Sequence, residues 1–172
     1  MGAGPAGLEA ARAFGQRGYD VILAEATRDL GGRVTRETMF SELATWARVR
    51  DWRTGQIEKM PNVNVYRESQ MNAEAVLETD CNLVVVATGA IWRRDGFGRT
   101  DRAMVPGADG TNVYTPDDIM DGVEPEGPVI VFDDDHYYMG SVISERLRAL
   151  GREVILVTPE AVVSAFTTYT LE

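Results

Sequence analysis

Close to the start of the chain, Gly2, Gly4 and Gly7 stand in the spacing G-x-G-x-x-G, with Pro5 and Ala6 completing the turn. Where a strand bends sharply into a helix, the first glycine permits the tight turn and the second lets a diphosphate approach the backbone. The third allows the helix to pack closely on the strand, and the helix N-terminus offers N–H groups and partial positive charge to the phosphates. Glu25 follows at the end of the apolar run Val21–Ala24, about twenty residues on, where a carboxylate can accept hydrogen bonds from both ribose hydroxyls of an adenosine. Ala26 adjoins it. Gly31 and Gly32 then let the backbone pass close to a bound dinucleotide, and Arg33 is a candidate charge for its phosphates or, equally, a surface residue of a polar turn.

These residues need elements to hold them. Pro5 suits the first turn of a helix, which Leu8, Ala11, Ala13 and Phe14 continue and Gly15 and Gly18 end. Asp20–Ala24 has the apolar character of a strand buried in a parallel sheet. The glycine motif also requires a preceding strand of about five residues, yet only Met1 stands before Gly2, so the chain is expected to be a fragment of a longer protein. Loss of that strand predicts marginal folding, self-association or a missing upstream segment.

Further along, the apolar residues between 36 and 60 fit one or two amphipathic helices, with Trp46 and Trp52 as core or interface anchors and Arg48, Arg50 and Arg53 on a solvated face. Val63–Tyr66 predicts a short strand. Met71 lies in the segment that leaves it, which in a doubly wound sheet passes near an adenine. Asn72 is a helix cap for residues 73–78, and Leu83–Ala87 has the composition of another buried strand with Cys81 buried before it. Thr88 and Gly89 follow at its carboxyl end, the edge where open α/β sheets bind ligands.

Turn-forming residues from Ile91 to Val113 mark a connection, and Thr115-Pro116-Asp117-Asp118 is a helix start. A second strand–turn–helix–strand unit then runs through Val129–Phe132, Met139–Leu150 and Val154–Val157. At the position of its phosphate turn stand Asp133, Asp134, Asp135 and His136, whose charges and side chains oppose a diphosphate. A divalent cation held by these carboxylates and His136 is one reading. The preferred reading has the Asp side chains bonding their own turn and capping the next helix, while His136 and Tyr137 fill the nucleotide's space. No catalytic residue and no metal site are expected.

The chain is 172 residues long with a net charge of −10, which opposes nucleic acid or an anionic membrane surface as a main partner. No apolar run has the length of a membrane span, and a cytoplasmic location is expected. A single cysteine, Cys81, excludes an internal disulfide and a thiolate-held cluster within this chain. The fold class is α/β: two tandem Rossmann-like units, both truncated, over residues 1–100 and 101–172. The first is of FAD/ADP-binding type and the second is a degenerate NAD(P)-binding type.

Two such units, with the glycine turn, Glu25, Gly31-Gly32, Ala87-Thr88-Gly89 and Val105-Pro106-Gly107, resemble the flavin-dependent pyridine-nucleotide reductases. Within that superfamily, Val131–Gly140 together with Tyr114–Asp118 resembles the C-terminal part of the trimethylamine, dimethylamine and histamine dehydrogenases. The resemblance implies an N-terminal barrel, absent from this chain, that carries FMN and a 4Fe-4S cluster and passes electrons to an electron-transfer flavoprotein. It also implies that the first unit holds ADP as a structural group, with Gly2, Gly4, Pro5, Ala6 and Gly7 at the diphosphate, Glu25 at the ribose and Gly32, Arg33 and Met71 around the adenosine. The second unit is empty in that family. Two alternatives stand beside it: an FAD-binding reductase domain taking hydride from NAD(P)H, as in the dienoyl-CoA reductases, and a non-catalytic docking module.

Overall fold

The computed structural model describes residues 1–100 and 102–170. It divides into two compact units, Met1–Ala90 and the residues from Ile91 onward. The expected boundary between 100 and 101 abuts Asp101, which with Leu171 and Glu172 lies outside the described residues.

In the first unit the elements are α1 (Pro5–Gln16), β1 (Val21–Ala24), α2 (Arg33–Glu37), a 3-10 helix over Ser41–Trp46, α3 (Ala47–Ile57), β2 (Val63–Tyr66) and α4 (Ala73–Glu78). Pro5 opens α1 after an extended Gly4, where its fixed φ and missing N–H cost nothing. The β1 and β2 strands pair in parallel, with Val21 opposite Val63 and Ala24 opposite Tyr66, a pairing that needs the long helical crossover between them. Leu8 and Ala11 of α1, Leu23, Ile57 and Val63 form the core with Ala3 and Leu30. Full burial of side chains such as Leu8 and Ile57 stabilises by roughly 1.5–3 kcal/mol each.

Four local expectations are corrected here. Residues 36–60 form two short helices and α3, because Thr38–Phe40 interrupts the helical path. Of the two roles expected of Trp52, that of a core residue does not hold: it is 53% exposed, its ring flanked by the guanidinium groups of Arg12 and Arg53 at 5.3 and 5.7 Å, a cation–π contact in place of burial. Cys81 is exposed. Leu83–Ala87 is neither buried nor part of a sheet: Val85 accepts from the Met1 ammonium at 2.7 Å and the Ala87 N–H donates to the Met1 carbonyl at 2.9 Å. A strand forms only where a neighbour supplies its ladder, and Met1 supplies a single rung.

The second unit contains α5 (Pro116–Met120), β3 (Val129–Phe132), α6 (Met139–Ala149), β4 (Val154–Val157) and a 3-10 helix over Thr167–Tyr169. Thr115 and Asp118 close a capping box at the start of α5. The β3 and β4 strands are parallel, Val129 opposite Val154, and α6 crosses between them, burying Met139, Val142, Ile143 and Leu147. The other face of this sheet shows Ile130, Phe132, Ile155 and Val157 to solvent.

Candidate nucleotide-binding site

The glycine turn is built from both sides. From β1, the Ala24 carbonyl accepts the Gly2 N–H at 2.8 Å, and from the loop after β1 the Gly31 N–H donates to the Ala3 carbonyl at 2.8 Å. Two glycines of the motif face packed backbone: a Cβ on Gly2 would lie 2.3 Å from the Ala87 carbonyl oxygen, and one on Gly7 only 1.8 Å from that of Gly2. Gly4 is different. A Cβ there would meet nothing within 4 Å, so the open space beside the turn lies at the second glycine, the one through which a diphosphate approaches.

The same place is rich in donors. No side chain caps α1, its first turn carries no acidic residue, and the N–H groups of Gly4, Ala6 and Gly7 have no protein partner among the described residues. Together with the helix dipole they form a cradle for an anion. The Gly31–Gly32 loop packs on it, Gly32 with a φ of +52° and close to the Gly4 backbone. Arg33 donates from Nη2 to the Ala90 carbonyl at 2.7 Å, tying this loop to the exposed Thr88-Gly89-Ala90 segment.

Glu25 sits at the joint of these parts. Its carboxylate is buried, 8% exposed; Oε2 accepts the Ala3 N–H at 2.7 Å and Oε1 accepts both the N–H and the hydroxyl of Thr27 at 2.9 Å. Burial alone pushes this carboxyl up, and the hydrogen bonds from Ala3 and Thr27 outweigh it and hold it below the usual glutamate range. The neighbouring Glu68–Ser69 segment is strapped to it, Ser69 N–H to the Glu25 carbonyl at 2.8 Å and Glu68 N–H to that of Thr27 at 3.0 Å. Ala26 is exposed beside the carboxylate. Met71 instead lines a cavity of about 60 Å³ with Met1, Ile22 and Ala24.

Gly2, Gly4, Pro5, Gly7, Glu25, Gly32 and Thr88 are therefore gathered around one turn, with Ala6 exposed in the first turn of α1, while Arg33 reaches the segment of Gly89 through the Ala90 carbonyl. Two contributors escaped the sequence reading. Thr27 looks like an ordinary loop residue, and Ala3 acts only through its backbone. No side-chain pattern signals either.

The corresponding turn of the second unit is closed by its own side chains. Asp133 Oδ1 accepts from the N–H groups of Asp135 and His136 at 3.2 and 3.0 Å, as expected of a carboxylate bonding its own turn. Side-chain capping of α6 does not occur, since its N-cap is Tyr138, whose side chain makes no cap hydrogen bond; Asp133 Oδ1 turns to nearer donors, and its Oδ2 is buried with no hydrogen-bond partner among the described residues. Asp134 takes the Thr100 N–H at 3.0 Å, and burial raises the Asp135 carboxyl. His136 is 1% exposed, edge-on to Phe166 at 5.2 Å, with Nε2 3.2 Å from the Thr100 hydroxyl. Among the described residues no group of three or more His, Cys, Asp or Glu is placed to hold a metal ion.

Comparisons with known proteins bear on the first fifty residues and on the chain as a whole. Residues 1–50 match the NAD(P)-binding Rossmann-like domain family, which spans the glycine turn, Glu25 and the Gly31–Gly32 loop. The dimethylamine dehydrogenase of Hyphomicrobium sp. (strain x) is 33% identical over 180 residues, covering 100% of this chain and 24% of that protein. The structure of histamine dehydrogenase from Rhizobium sp. 4-9 superposes with a TM-score of 0.91 at 50% identity, over 99% of this chain and 27% of that one.

The chain is a homologue of these amine dehydrogenases.

The likeness extends to the 6-hydroxypseudooxynicotine amine oxidase of Pseudomonas geniculata N1, at a TM-score of 0.95 and 46% identity over 99% of this chain and 26% of that one. This amine dehydrogenase homologue thus spans about a quarter of the length of the relatives it matches. Its described residues contain no helix long and apolar enough to cross a membrane.

Proposed function

We propose that the first unit binds ADP as a structural group within a flavin-dependent amine dehydrogenase, and that the catalytic centre lies outside these residues. One observation carries the binding: the unfilled space at Gly4, edged by the N–H groups of Gly4, Ala6 and Gly7 and adjoined by Glu25. A diphosphate fits this set, because backbone donors and a helix N-terminus compensate its charge without a lysine or arginine cluster. Glu25 then reads the ribose, and Gly32, Arg33, Thr88 and Gly89 wall the nucleotide.

In this reading the chain consists of two tandem Rossmann-like units, and the second does not take a dinucleotide. Its turn carries Asp133, Asp134 and Asp135, and in the broad cleft beside it, of about 1120 Å³, Arg93 and Arg94 are committed to Asp95 and Asp118 at 2.5 Å. FMN and a 4Fe-4S cluster belong to a further domain of the whole protein. With one cysteine and one histidine, this chain has no ligand set for such a cluster. An electron-transfer flavoprotein as acceptor and a cytoplasmic location complete the proposal.

The test is to denature the purified protein and identify the released nucleotide by absorbance and mass. Stoichiometric ADP is expected. Release of FAD would replace this reading with that of a working flavin domain accepting hydride from NAD(P)H. A folded protein that neither releases nor binds an adenine nucleotide would overturn the nucleotide reading and leave a docking module.

A further inference from the structure

Thr27 is the side chain that most constrains Glu25. Its N–H and Oγ1 both donate to Glu25 Oε1 at 2.9 Å, and the same Oγ1 lies 3.0 Å from the Asp29 carbonyl oxygen. A hydroxyl has a single hydrogen, so it serves one of these acceptors at a time. Meanwhile Glu25 Oε2 is taken by the Ala3 N–H at 2.7 Å. A carboxylate offers about four acceptor sites, and Ala3 and Thr27 engage three of them. A ribose diol arriving at Glu25 needs two, so one resident bond must give way. The Ala3 bond holds the glycine turn and the Thr27 N–H is fixed by the backbone; the Thr27 hydroxyl alone can rotate, and it has a second acceptor within reach.

We propose that Thr27 is the positioning residue of the ribose subsite: its N–H pins the Glu25 carboxylate, and its hydroxyl turns from Glu25 Oε1 to the Asp29 carbonyl as a ribose hydroxyl takes its place. The exchange leaves no buried acceptor unpaired in either state. It also fixes the ligand class, an adenosine diphosphate with a free 2′-hydroxyl. The inference rests on nucleotide binding at the glycine turn. It adds that selectivity for the diol depends on a residue that need not touch the base or the phosphates.

The experiment is calorimetric titration of the wild type, Thr27→Val and Thr27→Ser with ADP and with 2′-deoxy-ADP, any nucleotide that co-purifies having been removed, alongside thermal melting. The wild type is expected to prefer ADP by about tenfold, the worth of one hydrogen bond to a charged acceptor. Thr27→Val keeps the N–H that pins Glu25 but removes the hydroxyl that competes for Oε1, so it should tighten ADP by roughly threefold to tenfold and leave 2′-deoxy-ADP within about twofold, widening the preference; Thr27→Ser should return the wild-type ratio. Equal weakening of both ligands would mean a purely structural residue and would overturn the assignment, as would an unchanged or reduced ratio. Either result leaves the nucleotide reading standing, whereas a folded wild type that binds neither ligand overturns both. Thr27 is exposed, and Thr27→Ala reads the same ratio if the valine variant does not fold.

Discussion

Replacement of Gly4 by alanine separates the site from the fold that carries it. The residue has φ −68° and ψ −177°, which any L-residue adopts, and the added Cβ meets no atom within 4 Å. The variant is therefore expected to melt as the wild type does, or slightly higher, since alanine lowers the entropy of the unfolded chain by about 0.4–1 kcal/mol. Ligand binding should behave otherwise. A methyl group in the open space holds the diphosphate away from the N–H donors and removes about two hydrogen bonds to a charged group, each worth about 1.5 kcal/mol. The sum, about 3 kcal/mol, is close to a hundredfold rise in Kd. Gly7→Ala is the control: its Cβ would lie 1.8 Å from the Gly2 carbonyl oxygen, so the backbone must move and stability should fall by roughly 1–3 kcal/mol. Calorimetric titration with ADP and differential scanning calorimetry on both variants decide the matter. An intact Gly4→Ala variant with wild-type ADP affinity would refute the approach of the diphosphate at this position. A Gly4→Ala variant that melts well below the wild type would refute the openness of the space itself.

Two further perturbations follow from the hydrogen bonds. The folded-state pKa of Glu25 is depressed, so its contribution is present above the unfolded value and is lost as pH falls through the folded one; Glu25→Gln should cost about 1–3 kcal/mol at neutral pH, and urea titrations should show its gap from the wild type closing below about pH 4. Thr115→Ala removes the cap of α5, where Thr115 accepts the Asp118 N–H and Asp118 Oδ2 accepts the Thr115 N–H at 2.7 Å; a loss of about 1 kcal/mol is expected, read as a lower urea midpoint.

What could be read directly from the residues was what short-range chemistry dictates. Pro5 after Gly4 starts a helix, Thr115-Pro116 starts another, and Asn72 caps a third, because each depends on atoms only a few residues apart. The parallel pairs of β1 with β2 and of β3 with β4 follow from apolar runs separated by helices. The glycine spacing likewise announced a turn at which a diphosphate could lie. Tertiary structure decided which groups share that turn. Glu25 was legible as an acceptor, but its partners Ala3 and Thr27 reach it through backbone N–H groups and one hydroxyl, and every non-proline residue owns such an N–H. Leu83–Ala87 has the composition of a strand, yet pairing belongs to the neighbour, and among the described residues its single rung is to Met1. Trp52 remained at the surface because two arginines arrived at its ring, one of them from another helix. Composition and spacing specify what a segment is able to do; which partner reaches it is settled only when distant residues meet.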